Sequence, residues 1–249
     1  MTHRPPREIY RGWASVYESF ELAASLDTWK QGIVSELRRL GCVDARILDI
    51  GAGTGIGRRA LLDAFPACTV ISLDQSADML AMGRIPTGLA IVADMSSFRI
   101  DEAGFDFVVS GFDALNYLAK EDLGNCLACV ASALRLGGRM VFDYSTRKLL
   151  KYDWGHLDYV REHDGMQLAC SHRYEPLLDR TRVDLELTRR SELLWRETHH
   201  HYSVDPFDLH ELALASDLHV LYGRDIDREQ FSPASGTHVW VLERRGADR

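Results

Sequence analysis

Apolar residues recur at helical spacing at the start of the chain: Trp13, Val16, Tyr17 and Phe20, then Trp29, Ile33, Leu37 and Leu40, until Gly41 stops the run. This predicts an N-terminal helical cap reaching to about Asp44. From Ala45 the period shortens. Arg46–Ile50, Thr69–Leu73, Leu89–Val92, Phe105–Ser110 and Arg139–Tyr144 read as buried strands, with helix-like segments at about 55–65, 76–83 and 120–135 between them. Strands alternating with helices form parallel βαβ units with right-handed crossovers, which predicts a doubly wound α/β sheet.

After residue 145 the rhythm changes. Leu157–His163, Met166–Arg173, Arg182–Arg189 and Leu193–Tyr202 are strand-like runs with no helix between them, and Asp164-Gly165 and Leu178-Asp179-Arg180 read as hairpin loops. These four strands are expected to pair antiparallel. Pro206–Ser216 then reads as helix, and Leu218–Tyr222 and His238–Glu243 as strands that return to the main sheet, completing seven. Residues 1–145 thus hold the cap and the main part of a Rossmann-like domain, 146–204 an antiparallel insert between strands five and six, and 205–249 the last helix and strands.

Composition narrows the class of partner. The 249 residues are 46% hydrophobic and 27% charged, ordinary globular proportions that exclude a disordered tail, a coiled coil or a fibre. Lys plus Arg total 29 against 37 for Asp plus Glu, a net charge of -8, which disfavours nucleic acid and favours a small molecule. The five cysteines are an odd number and no leader-like run opens the chain, so cytoplasm is the expected compartment. No apolar run approaches the roughly 20 residues of a membrane span, so no membrane partner is expected. Cys126 and Cys129 have redox spacing but fall inside a helical pattern, where thiols are expected to be buried hydrophobes.

The chemistry begins at the first strand. Asp49-Ile50-Gly51-Ala52-Gly53-Thr54-Gly55 is a buried strand turning through glycines into a helix, where backbone without Cβ atoms can approach a nucleotide-like ligand closely. A dinucleotide fingerprint would need its third glycine at position 56, which is Ile56, and a phosphate loop would need Gly-Lys-Ser/Thr. Asp74 ends the next strand, where a carboxylate can take both hydroxyls of a ribose or serve as a helix N-cap. Asp49 is then free for a cationic part of the ligand. Asp94-Met95 closes the third strand, with an acceptor for an exocyclic amine and an apolar side chain for a base.

These residues resemble a known family. Asp49 to Gly55, Asp74-Gln-Ser-Ala-Asp-Met79, Ala93-Asp-Met95 and Phe105 to Phe112 are similar, in order, to the motifs of class I S-adenosylmethionine-dependent methyltransferases, over about residues 9–145. The resemblance implies that S-adenosyl-L-methionine is the cofactor and S-adenosyl-L-homocysteine its product. It implies that Asp49, Gly51, Ala52, Gly53 and Gly55 hold the methionyl part, Asp74 the ribose, and Asp94 and Met95 the adenine. Gln75, Met79, Ser110 and Phe112 join that set from the same motifs, and Tyr10, Tyr17 and Trp29 from the cap.

Phe112 to Leu118, Leu136 to Asp143 and Trp13-Ala-Ser-Val-Tyr17 are similar to small-molecule members with an antiparallel insert, among them amino-sugar N-methyltransferases of antibiotic pathways. The insert is then a lid over the acceptor. Methyl transfer by in-line displacement to nitrogen or oxygen is expected, with no metal. Tyr17, Tyr117, His199 and His201 are the candidate catalytic residues. Tyr17 can equally be core, Tyr117 can be packed with only its hydroxyl exposed, and the histidines can belong to a hydrated sheet face. Alternating strand geometry puts His199 and His201 on one face and His200 on the other. The rival functions are a tRNA-modifying enzyme and a cofactor-binding cyclase or regulator. A homodimer is compatible with all of these.

Overall fold

The computed structural model describes residues 10, 12–100, 104–228 and 230–246. The main sheet has seven strands: β1 (Arg46–Ile50), β2 (Thr69–Asp74), β3 (Ala90–Val92), β4 (Phe105–Ser110), β5 (Leu134–Ser145), β10 (Leu218–Asp225) and β11 (Thr237–Arg244). Their order is β10-β11-β5-β4-β1-β2-β3. The first five run parallel, and β11 lies antiparallel between β5 and β10. Helices α1 (Tyr17–Trp29), α2 (Ser35–Arg39) and α3 (Ile56–Ala64) cover one face through Trp29, Ile33, Leu37 and Leu61. Helices α5 (Lys120–Ala133) and α6 (Pro206–Ala215) cover the other through Leu127, Val130 and Leu209. Burying the central strands on both faces is what their near-continuous apolar runs anticipate. A short α4 (Ala77–Met82) follows β2.

The insert is a separate antiparallel sheet, β6 (Asp158–His163), β7 (Met166–Glu175), β8 (Arg180–Arg189) and β9 (Glu192–Tyr202), in that order. Asp164 and Gly165 both have positive φ, as the first hairpin turn requires. The last hairpin turns on Arg190 and Ser191, also at positive φ without a glycine between them, a turn that composition does not signal. The inner face carries Leu168 and Cys170 of β7 and Leu187 of β8, all buried, and against them sits Trp13.

Two expectations change. Trp13 lies in turns before α1, whose first residue is Tyr17, so its apparent helical spacing reflects burial against the insert. The cap is also not one regular helix, because Lys30–Val34 form a π-helical turn between α1 and α2. Arg224 of β10 explains it. Its guanidinium donates to the carbonyls of Gln31 (3.1 Å) and Gly32 (3.2 Å) and to Ser35 Oγ (2.8 Å), taking up groups that the wider turn frees. It also pairs with Glu36 at 2.6 Å, whose other oxygen accepts the Tyr222 hydroxyl at 2.6 Å.

The base of the insert is tied to the body by Asn116. Its amide nitrogen donates to the carbonyls of Ser145 (2.9 Å) and Tyr202 (2.7 Å), and its oxygen accepts the Ser145 N–H (2.9 Å). On the far side Arg161 of β6 donates to the Phe20 carbonyl (3.0 Å) and pairs with Glu21 of α1.

Candidate active site

The glycine loop leaves β1 with Gly51, Gly53 and Gly55 at φ of 70, 56 and 74°, the left-handed region where a side chain is costly. Gly51 has a second reason to lack a side chain, because a Cβ there would lie 2.7 Å from the Ala114 Cβ. Asp74 fixes the loop. One carboxylate oxygen accepts the Gly53 N–H at 2.8 Å and the other accepts the Ser76 N–H at 2.8 Å. The N-cap of α4 is Ser76, whose hydroxyl accepts the Met79 N–H at 3.2 Å, so the capping alternative for Asp74 falls. Burial raises the Asp74 carboxyl and the two backbone donors oppose that rise.

In front of the loop lies a cavity of about 230 Å3. Of the residues expected at a cofactor, Tyr10, Tyr17, Trp29, Gly51, Ala52, Gly53, Asp74, Gln75, Met79, Asp94, Met95 and Phe112 line it. Trp29 is a wall wedged against Gly57 and Gly111, and a Cβ on Gly111 would fall 2.7 Å from its ring. Asp94 is steadied by the Ser96 N–H (2.8 Å) and hydroxyl (2.7 Å) on one oxygen.

Three expected cofactor residues stand outside the lining. Gly55 is the left-handed N-cap of α3. Ser110 is buried and donates to the Ile50 carbonyl at 3.0 Å, which joins β4 to β1. Asp49 is wholly buried behind the loop, in register with Ser72 of β2, and neither of its carboxylate oxygens nor the Ser72 hydroxyl has a hydrogen-bond partner. Burial, reinforced by the charge of Asp74, pushes the Asp49 carboxyl well above the ordinary carboxylate range. The Thr54 hydroxyl, also without a partner, belongs to a residue that does line the cavity, and with the crowded Gly51 beside it the loop fits a polar ligand seated there.

The tyrosines converge. Tyr10, Tyr17 and Tyr117 all border the cavity; the Tyr10 ring lies 6.5 Å from Tyr17 and 5.9 Å from Tyr117. Burial pushes the hydroxyls of all three upward, so they stay protonated. Tyr117 ends a short 3-10 turn, Ala114–Tyr117, presented by Phe112 and Asp113, both at positive φ. Their N–H groups donate to the two oxygens of Asp143 at 2.7 and 2.8 Å. Burial and the neighbouring Asp113 raise Asp143 to about 7.

Neither His199 nor His201 lines the cavity, and the hydrated-face reading fails for both: they lie on the inner face of the insert, directly behind Tyr117. The Tyr117 hydroxyl meets His199 Nδ1 at 2.9 Å, and His199 Nε2 meets Glu197 Oε2 at 3.2 Å. The side chains of His199 and Glu197 are 2% and 8% exposed. His201 packs on the Tyr117 ring at 4.7 Å with both nitrogens unpartnered, and burial, then its histidine neighbours, push it down to about 3. It stays neutral.

Sequence reading missed Glu197, Asp122, Asn116 and Asp143. For Glu197 a signal existed, since it sits two residues before His199 on the same face of β9. Asp122, one turn into α5, joins Asp74 and Asp94 on the cavity wall. The described lining residues include no Lys, Arg or His.

Residues 47–138 match the family model described as Methyltransferase domain. A malonyl-[acyl-carrier protein] O-methyltransferase of Geobacter sulfurreducens is 32% identical over 115 residues, 44% of this chain and 42% of that protein. The chain spans about half the length of the curated relatives it matches over this domain. An S-adenosylmethionine-dependent methyltransferase from Clostridium acetobutylicum superposes with a TM-score of 0.79 at 19% identity, covering 95% of this chain and 99% of that one. CalS10, an amino pentose methyltransferase from Micromonospora echinaspora solved with S-adenosylmethionine bound, gives 0.69 at 17%, covering 98% and 100%. Residues 47–138 are thus similar to the methyltransferase domain family, and the fold built around them is one shared with S-adenosylmethionine-dependent methyltransferases.

Proposed function

We propose that this protein is an S-adenosylmethionine-dependent methyltransferase that methylates a nitrogen or oxygen of a small molecule, with an amine as the favoured acceptor. One observation carries the reading: a single cavity runs from the glycine loop and Asp74 to the three tyrosines under the insert. Bound there, S-adenosylmethionine supplies an electrophilic methyl on a sulfonium. Gly51, Ala52 and Gly53 receive its methionyl part, Asp74 the ribose, and Asp94 and Met95 the adenine. The insert and Tyr10 exclude water, and the tyrosines orient the acceptor for in-line attack.

Charge favours nitrogen. Asp74, Asp94 and Asp122 line the cavity while no cationic side chain does, among the described residues. A carboxylate acceptor, as in the malonyl enzyme's name, would enter without a counter-ion. An amine enters as an ammonium that the acids attract. CalS10, an amino pentose methyltransferase, has the same fold. The net charge of -8 continues to count against a tRNA substrate.

Calorimetry with S-adenosylhomocysteine tests the cofactor half, and labelled S-adenosylmethionine offered with amino sugars, aliphatic amines, phenols and carboxylates tests the acceptor half. Label transfer to an amine supports the reading. Transfer only to carboxylates overturns the amine, and cofactor binding without any transfer favours the non-methylating rival.

A further inference from the structure

Tyr117, His199 and Glu197 form one chain of hydrogen bonds leading from the cavity wall into the inner face of the insert. A carboxylate only accepts hydrogen bonds, so in the neutral imidazole the hydrogen sits on Nε2, facing Glu197. Nδ1 is then bare and accepts the Tyr117 O–H across 2.9 Å. The Tyr117 oxygen is left to accept. The Tyr10 ring packs beside the Tyr117 ring at 5.9 Å, and Glu197 Oε2 also accepts the Tyr10 backbone N–H at 3.0 Å. Of this set, Tyr10 and Tyr117 line the cavity and His199 and Glu197 do not, among the described residues.

From this geometry, and resting on the amine reading above, we infer that His199 is the base of the reaction, reached through Tyr117, and that Glu197 is its positioning residue. The acidic cavity that attracts an amine also keeps it protonated, and an ammonium has no lone pair with which to attack. One proton must leave first. It passes from the ammonium to the Tyr117 oxygen as the Tyr117 proton passes to His199 Nδ1. Tyr117 is unchanged, His199 becomes imidazolium, and Glu197 balances that charge. The freed nitrogen lone pair forms the new N–C bond as the S–C bond breaks, and the product ammonium carries a methyl where the lost proton was. His199 returns its proton to water after product leaves. The substrate class is thus a primary or secondary amine bound as its cation. His201 has no place in the relay, having no partner at either nitrogen.

The other groups facing this chain are Tyr17, Glu21 and Asp113 around Tyr117, Asp74 near Tyr10, and His201 beside His199. Only Glu197 has its carboxylate on the imidazole itself. The test is therefore a histidine 15N NMR titration of the full chain saturated with S-adenosylhomocysteine, with His199→Gln used to assign the signal. The expected spectrum shows Nε2 protonated and Nδ1 bare, an assignment that Glu197→Gln disturbs because the carboxylate acceptor at Nε2 is gone. An Nδ1-protonated tautomer, or an assignment that Glu197→Gln leaves in place, overturns the relay. Calorimetry on each variant keeps folding separate, since S-adenosylhomocysteine affinity stays at the wild-type value. On whichever amine the panel shows to be methylated, Glu197→Gln should lower kcat tenfold or more, move the rising limb of its pH profile to lower pH and spare KM; a limb that stays put also overturns the relay. Absence of transfer to any amine removes the proposed function instead, and the titration still decides whether His199 and Glu197 are coupled.

Discussion

The two ends of the cavity are built by opposite means. At the end we assign to the cofactor, three of the walls are strand ends: β1 delivers the glycine loop, β2 delivers Asp74, and Asp94-Met95 follows β3, with Trp29 of α1 beside them. Position along the sheet decides which side chains border the cavity, and Asp74 fixes the loop by accepting the N–H groups of Gly53 and Ser76. The acceptor end has no such frame. Tyr10, Tyr17 and Tyr117 border it, no residue of the insert lines the cavity among the described residues, and the insert packs behind Tyr117, joined by hydrogen bonds such as Tyr10 N–H to Glu197 across 187 positions. A sheet of fixed register can be reused for one cofactor while the insert is rebuilt for each acceptor.

The comparison breaks first at the joint that both ends share. Arg224 holds the π-helical turn that follows Trp29, and it is almost wholly buried with Glu36. Arg224→Leu strands the Glu36 charge and should cost about 3–5 kcal/mol of stability by urea unfolding. If the two ends are separable, S-adenosylhomocysteine affinity in the folded fraction should change little. A large loss of affinity would mean that the helix carrying Tyr17 and Trp29 is set by this pair.

The next two substitutions probe one end each. Tyr117→Phe keeps the ring packing of the acceptor end and removes the hydroxyl; single-turnover transfer at saturating cofactor should fall about tenfold to a thousandfold, or about 1.4–4 kcal/mol, with cofactor affinity nearly unchanged. Asp74→Ala does the reverse. It removes the acceptor for the Gly53 and Ser76 N–H groups and should weaken S-adenosylhomocysteine binding by about 1.5–3 kcal/mol in calorimetry. Crossed results, with Tyr117→Phe weakening the cofactor or Asp74→Ala sparing it, would dissolve the division between the ends.

How far the sequence could be read follows the same division. The alternation of strands and helices, the glycine loop and the place of Asp74 at a strand end are legible because a parallel sheet turns local patterns into places, and the four insert strands because their period of two shows without knowing what they cover. The deeper features were not legible. Asp49, Gly55 and Ser110 belong to the right motifs yet lie outside the lining, since a motif marks a segment and not which of its side chains reaches the cavity. Glu197 looked like one charge among many on a strand, and only the arrival of Tyr10 from the other end of the chain makes it a buried acceptor. The π-helical turn depends on Arg224, some 190 residues away, so no local pattern could announce it.

The smallest effect sits where the two ends meet. Asp143 holds the N–H groups of Phe112, which faces the cofactor end, and of Asp113, which starts the turn carrying Tyr117. Its carboxyl stands at about 7, raised by burial and by Asp113. In the unfolded chain an Asp titrates near about 3.9. Between these values the native chain holds a proton that the unfolded chain has released, so protonation stabilises the fold at low pH and that contribution fades as pH rises through 7. The slope from this group is at most about 1.4 kcal/mol per pH unit, a loss of stability with rising pH, and it flattens above 7. Urea midpoints taken from pH 5 to 8 in the wild type and in Asp143→Asn test it: the amide cannot titrate, so the wild type should lose stability relative to the variant as pH rises from 5 to about 7 and hold level from there to 8. A difference independent of pH would place the charge at the joint in the folded state throughout, with the two N–H donors outweighing burial and Asp113.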